Sequence, residues 1–263
     1  MDLQLKDKVV LITASSKGIG KATAELFLNE RSKVVICSSN SENLKIAVEE
    51  LKLLTGNEPV SGICDLNNPD DLTNIVKLTK KEFGRIDILV NNCGGPVPGM
   101  FDDLNDDNWQ HAVNQVLLSV VRLTREVLPE MKKNNWGRII NITSLSVKQP
   151  VDNLMLSNSL RSAVTSFSKT LSNEVGKHNI TVNNVAPGYT LTSRLYELAE
   201  LRAKENGVSR ETILEEMASV VPMKRLADPK EVAAMIVYLA SKQAGYLTGQ
   251  TIAVDGGVIR SAY

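Results

Sequence analysis

Residues Thr13 to Gly20 read Thr-Ala-Ser-Ser-Lys-Gly-Ile-Gly and stand between an apolar run and a helical pattern. Backbone N–H groups at such a helix start would face a pyrophosphate, and the helix dipole favours its negative charge. Gly18 and Gly20 permit close backbone approach and tight helix–strand packing. A glycine pair at a strand–helix turn can equally be a structural turn, so the loop alone does not decide. The second apolar run ends in Cys37, Ser38, Ser39 and Asn40. Where a dinucleotide carries a free ribose 2′-hydroxyl, this strand usually ends in a carboxylate that bonds it. Here no acid is present to repel a 2′-phosphate. The other residues with chemical potential are sparse. His111 and His178 are the only histidines; His178 reads as a helix-end residue and His111 as a structural position on a long helix. Cys37, Cys64 and Cys93 are far apart, form no C-x-x-C pair and sit in apolar contexts. They read as small buried hydrophobes rather than zinc ligands or disulfides.

The elements that would position these groups alternate regularly. Val9–Thr13, Val34–Cys37, Val60–Cys64, Ile86–Val90, Arg138–Ile142, Ile180–Ala186 and Thr251–Val254 read as strands. Their β-branched, two-sided apolar character suits a parallel sheet covered on both faces. Helical patterns lie near 19–30, 41–55, 69–83, 105–131, 153–178 and 229–240. Pro69 and Pro229 sit near helix starts, where a missing N–H costs little, and Gly56, Gly84 and Gly176 follow helical runs as candidate C-caps. The pattern predicts an α/β fold: a Rossmann-type, doubly wound, seven-stranded parallel sheet with helices on both faces. No linker, repeat or composition break divides 1–263, so one domain is expected. The exception to regular alternation is a helical insertion at about 191–222. Its place after the sixth strand makes it a candidate lid over a ligand crevice at the strands' carboxyl edge.

Composition narrows the function classes. The 263 residues suffice for one large α/β domain, with 43% apolar and 23% charged residues. Lys plus Arg equals Asp plus Glu, each 30, for a formal net charge of zero. That argues against a protein built to coat nucleic acid or an anionic membrane. No signal peptide or membrane span is visible, and a cytoplasmic protein is expected.

Five ordered motifs then resemble one family. Thr13 to Gly20 is similar to T-G-x-x-x-G-x-G, with Ala14 in place of the first glycine. Asn91, Asn92, Cys93 and Gly94 follow the fourth strand like N-N-A-G. Ser144 ends the fifth strand. Pro187, Gly188, Tyr189, Thr190, Leu191 and Thr192 follow the sixth like a P-G segment, and Thr248 to Gly257 closes the chain as a C-terminal strand signature. Across essentially its whole length the chain resembles the short-chain dehydrogenases/reductases, among them most the 3-oxoacyl-acyl-carrier-protein reductases.

The resemblance implies a nicotinamide dinucleotide bound along Thr13, Ser15, Ser16, Lys17, Gly18, Ile19, Gly20, Ser38, Ser39, Asn40, Asp65, Leu66, Asn92, Cys93, Gly94, Arg161, Pro187, Gly188, Thr190 and Thr192. Lys17 supplies a cation where NADP-dependent relatives often have one, although Ser39 stands where they commonly place arginine. NADP(H) is therefore expected over NAD(H). In the family a tyrosine protonates the substrate carbonyl, and a lysine four residues later binds the nicotinamide ribose and lowers the tyrosine pKa. Those positions hold Ser157 and Arg161 here, and Val116 stands where an asparagine is usual; only Ser144 is kept. Neither Tyr189 nor Tyr196 is followed by lysine four residues on. Tyr189, Tyr196, Lys148 and Gln149 are the polar groups that could line the pocket instead, with Tyr189 a substitute acid. The expected activity is oxidoreduction of a ketone/alcohol pair, such as a 3-oxoacyl thioester, by an altered mechanism; the alternative is a nucleotide-binding protein that has abandoned catalysis. A homotetramer paired through the two long helices and the last strand is also implied.

Overall fold

The computed structural model describes residues 1–261. Seven strands form a single all-parallel sheet: β1 Val9–Ile12, β2 Lys33–Ser38, β3 Val60–Ile63, β4 Ile88–Asn91, β5 Gly137–Ile142, β6 Ile180–Pro187 and β7 Thr251–Val254. The order is β3-β2-β1-β4-β5-β6-β7, so the winding reverses between β1 and β4. In such sheets a crevice opens outside the carboxyl ends at that reversal. The Rossmann-type expectation is met, and the apolar runs locate every strand to within two residues.

Helices cover both faces. On one side α1 Gly18–Asn29, α2 Ser41–Thr55 and α9 Pro229–Ala240 bury Phe27, Leu44, Val232 and Ile236 against the sheet. On the other, α3 Pro69–Phe83, α5 Ser119–Lys133 and α6 Met155–Val175 bury Ile75, Val127 and Val175. Local chemistry sets the helix ends. The side chains of Asn40 and Asn68 accept bonds from Asn43 N and Asp70 N, satisfying first-turn donors. Gly56 and Gly84 close α2 and α3 at φ +70° and +78°, conformations that glycine adopts without a Cβ clash. Gly176 does not act in that way. Its φ is −55°, the chain runs on as a 3-10 turn, and Asn179 takes the left-handed position at φ +56°.

The long helix expected near 105–131 is broken. α4 Asp106–Ala112 passes into a π turn over Val113–Leu118 before α5 begins. A π turn carries one more residue per hydrogen-bonded ring than an α turn, so a continuous apolar periodicity does not reveal it. The π turn and α6 share an apolar cluster containing Val116, Val120, Leu156, Leu160 and Val164. Two further helices, α7 Ser193–Asn206 and α8 Arg210–Val220, occupy the expected insertion and pack on each other through Leu195, Ala199, Ile213 and Met217. No helix of the described residues is long and apolar enough to cross a membrane.

A buried polar ladder crosses the sheet near its carboxyl edge. Asn91, Asn141, Asn184 and Thr251 are register partners on β4, β5, β6 and β7. Asn91 Nδ2 donates to Asn141 Oδ1 at 2.8 Å. Asn141 Nδ2 donates to Asn184 Oδ1 at 3.1 Å and to Ser168 Oγ at 2.8 Å. Asn184 Nδ2 reaches Thr251 Oγ1 at 3.1 Å.

Candidate active site

A crevice of about 600 Å³ lies at the carboxyl ends of β1, β4, β5 and β6. Its floor at β1 is the glycine loop. Lys17 is the N-cap of α1 in extended conformation and makes no side-chain capping bond, so the first-turn N–H groups keep their capacity for a ligand anion. Gly20 is fixed by space: a Cβ there would lie 2.7 Å from Ala14 O and 2.8 Å from Asn92 Nδ2. Ala14, which replaces the usual first glycine, sits at φ +45°, a conformation that costs an L-residue roughly 1–2 kcal/mol. Its carbonyl is held by Asn92 Nδ2 at 2.9 Å. Thr13 fastens the same segment, donating from Oγ1 to Asn92 O at 2.6 Å and accepting from Asn92 N at 2.8 Å.

Thr13 and Gly20 apart, the structure divides the candidate dinucleotide residues into two groups. Lys17, Gly18, Ile19, Asn92, Cys93, Gly94, Arg161, Pro187, Gly188, Thr190 and Thr192 line the crevice. Ser15, Ser16, Ser38, Ser39, Asn40, Asp65 and Leu66 gather around the ends of β1, β2 and β3 without lining it. Ser15 is buried as a brace, with its Oγ donating to Ile12 O and accepting from Cys37 N. Ser16 Oγ donates to Ser38 Oγ at 3.1 Å. Asn40 is already engaged as the cap of α2. Asp65 is exposed, whereas the Leu66 side chain is buried in the core.

The candidate reaction centre is built from β5, α6 and the segment after β6. Ser144, Ser157, Arg161 and Tyr189 all open onto the crevice. Ser144 is the N-cap of a short 3-10 turn, and its Oγ accepts from Ser146 N at 3.1 Å. Ser157 and Arg161 lie one turn apart on α6, and both are buried. Arg161 Nε donates to Ser157 Oγ at 3.2 Å, while Nη1 donates to Ile142 O at 2.9 Å and Thr143 O at 3.1 Å. The guanidinium is thus fixed by main-chain oxygens at the end of β5 instead of a carboxylate. Each serine oxygen already accepts a bond, which leaves each O–H to donate into the crevice. Tyr189 is half-buried against the α7–α8 cluster. Val116 is buried among apolar side chains and brings no polar group.

Three polar groups expected as alternatives do not line the crevice. Tyr196 faces outward, 39% exposed, with Arg210 stacked over its ring at 5.5 Å. Lys148 and Gln149 are exposed, and Gln149 Oε1 accepts from Arg260 N. The residues missed are Arg194 and Arg202. Crevice-lining positions 194, 195, 198, 201, 202 and 205 recur at helical spacing on α7. That spacing is visible in the sequence, where it marks a helix but not which of its faces meets the crevice.

Residues 13–259 match the family model described as Enoyl-(Acyl carrier protein) reductase. The chain belongs to the short-chain dehydrogenase/reductase family. It is 33% identical to the 3-oxoacyl-[acyl-carrier-protein] reductase FabG of Thermotoga maritima, over 98% of this chain and 100% of that one. It is 31% identical to the NADPH-dependent reductase BacG of Bacillus subtilis, with 98% and 100% coverage. Among solved structures it resembles L-sorbose reductase of Gluconobacter frateurii complexed with NADPH and L-sorbose. There the TM-score is 0.94, with 34% identity over 99% of this chain and 100% of that one. This short-chain dehydrogenase/reductase therefore keeps the family's sheet and crevice while carrying serine and arginine on α6 at 157 and 161.

Proposed function

We propose that this chain is an NADP(H)-dependent oxidoreductase acting on a ketone/alcohol pair by an altered mechanism. The observation that carries this reading is that Ser144, Ser157, Arg161 and Tyr189 open onto one crevice with Lys17–Ile19, Asn92–Gly94 and Pro187–Thr192. The residues fit a dinucleotide. The α1 start lacks a side-chain cap. Gly18, at φ +54°, brings the loop so near Thr192 that a Cβ would lie 3.1 Å from its Cγ2. Lys17, Ser38 and Ser39 offer a cation and hydroxyls, with no carboxylate, for a 2′-phosphate.

When bound, the dinucleotide supplies a hydride. The chain's own residues orient the carbonyl and manage the charge on its oxygen. Ser144 and Ser157 donate two hydrogen bonds toward that oxygen, and the Arg161 cation behind Ser157 favours the developing alkoxide. Arg161 Nη2 takes part in none of the three bonds that fix this side chain and would hold a nicotinamide ribose hydroxyl when the dinucleotide is bound. Serine does not give up its proton near neutral pH, so the final proton comes from Tyr189 or solvent. Loss of a dedicated general acid costs roughly 10²–10⁴-fold in rate, and turnover slower than that of tyrosine-bearing relatives is expected. Helices α7 and α8 act as the lid, and the fold works as one domain.

The test is binding, then turnover. Calorimetry is expected to give tighter binding of NADPH than NADH, followed by slow oxidation of NADPH with ketones or 3-oxoacyl thioesters. Tighter NADH binding would overturn the reading of Lys17 and Ser38. Firm NADPH binding without turnover on any carbonyl would leave a nucleotide-binding protein.

A homo-oligomer, most simply a tetramer, is part of the proposal. Among the described residues β7 pairs only with β6, and its Ile252 and Val254 are half-exposed, an edge that a second copy would cover. Sedimentation at micromolar concentration should give a species well above 28.8 kDa; a monomer would refute it.

A further inference from the structure

The charges in the crevice are segregated. Lys17, Arg161, Arg194 and Arg202 line it together with Asp103, Asp152 and Glu205. All three acids are exposed at the rim, whereas Arg161 is buried and Arg194 and Arg202 are half-buried. The deep charges are therefore all positive. Arg161 is held by Ile142 O, Thr143 O and Ser157 Oγ, with no carboxylate among these partners. Arg194 Nη2 donates to Pro96 O at 2.8 Å, and the side chain packs on Gly95, where a Cβ would lie 2.7 Å from Nε. Its nearest acid, Glu197, is 3.8 Å away and largely exposed. Burial lowers the Arg194 pKa, Glu197 opposes that shift and Arg161 adds to it, so the two guanidinium groups sense each other across the crevice. A low-dielectric cleft lined by one sign of charge concentrates ligands of the other sign. The same lining includes the apolar side chains of Pro98, Leu154, Leu198 and Leu201.

We infer that the substrate of this site carries a carboxylate on an apolar body, and that Arg194 is the residue that recognises it. The inference rests on the oxidoreductase reading but narrows it from carbonyl compounds in general to oxo-acids or their hydroxy-acid partners. The fork geometry of Arg194 suits a carboxylate. Arg161, on the opposite side, holds the reacting end. Arg202 lies eight residues farther along α7, about 12 Å at the helical rise, and adds a second positive charge to the same wall. With a neutral ketone the partly desolvated Arg194 cation would keep only Pro96 O and the exposed, distant Glu197 as partners.

The experiment uses a non-reactive pair, 3-phenylpropanoate and its neutral isostere 3-phenylpropanamide. Binding of each to the full chain is measured by calorimetry, with and without saturating NADPH. The wild type is expected to bind the acid at least about tenfold more tightly than the amide, as a charge-assisted bond implies. Arg194→Gln should erase most of that preference while leaving NADPH affinity within about twofold. Arg194→Lys should keep part of it, which separates loss of charge from loss of fold. Arg210→Gln, outside the crevice, should change neither ligand. Equal affinity for acid and amide, or no measurable binding of either, overturns the inference. So does an acid preference that survives Arg194→Gln. A large fall in NADPH affinity with the preference intact would assign Arg194 to the dinucleotide phosphates and also overturn it. Because no turnover is needed, an acid preference in a protein that reduces nothing would sink the enzymatic reading and leave the anion site standing.

Discussion

Changing Ser157→Tyr and Arg161→Lys together is expected to raise carbonyl reduction by at least about tenfold over the wild type. Ser157 lines a crevice of about 600 Å³, so a phenol ring at that position projects into open space. A lysine one turn later provides the fixed cation that makes a phenol, with an ordinary pKa of about 10, usable as an acid near neutrality. The gain falls short of the full general-acid contribution for two reasons. Val116 contributes no polar group from the adjoining helix. Removing Arg161 also leaves Ile142 O and Thr143 O without the donors that now bond them. NADPH oxidation at 340 nm on a ketone panel measures the ratio. Fast wild-type turnover that the double change lowers would point to another acid already at work, and Tyr189→Phe would be the next variant. Each single change should gain less than the pair, since the tyrosine and the lysine act as a unit.

Asn141→Ala is expected to lower the unfolding free energy by about 2–4 kcal/mol, more than any surface substitution on this chain. Asn141 is fully buried and bonds Asn91, Ser168 and Asn184. Its loss removes the acceptor of Asn91 Nδ2 and two donated bonds, and leaves a void among polar groups. Each stranded buried partner costs roughly 1–3 kcal/mol, offset in part where a water fills the space. Urea denaturation followed by far-UV circular dichroism checks this. A midpoint within error of the wild type would show that the ladder contributes little. Ser168 also donates to Val164 O, so Ser168→Ala should cost less than Asn141→Ala.

Most of the fold was legible because parallel strands buried on both faces read as unbroken apolar runs. Val9–Ile12 needed no partner information to be found, and Ile180–Ala186 was legible although Asn183 and Asn184 interrupt its apolar run. What failed to show were features set by neighbours. The π turn at Val113–Leu118 preserves the outward look of an amphipathic helix. Gly176 follows a helical run, yet the turn it enters closes three residues later at Asn179. At the site, the glycine loop, the Asn91–Gly94 segment and the serine and arginine of α6 were all legible as residues. Their bonding was not. That Arg161 is held by two carbonyls at the end of β5 depends on a crossing of elements that no local pattern encodes. Tyr196 and Arg194 sit two residues apart on α7, and only the helix orientation places one outside and the other in the crevice.

The asparagine ladder has a consequence for how the sheet finds its alignment. Strands that are apolar on both faces can slide by two residues and still bury nearly the same hydrocarbon, so the hydrophobic effect discriminates poorly among offsets. Asn91, Asn141 and Asn184 stand opposite one another in only one offset. A two-residue slip of β6 on β5 would set the Asn141 amide opposite Val182 or Ala186, at the cost of an unpaired polar group. The three amides thus penalise misaligned pairings at the edge where Asn92, Ser144 and Pro187 leave the sheet to form the crevice walls. Specificity of pairing is concentrated where an error of one step would displace the chemistry.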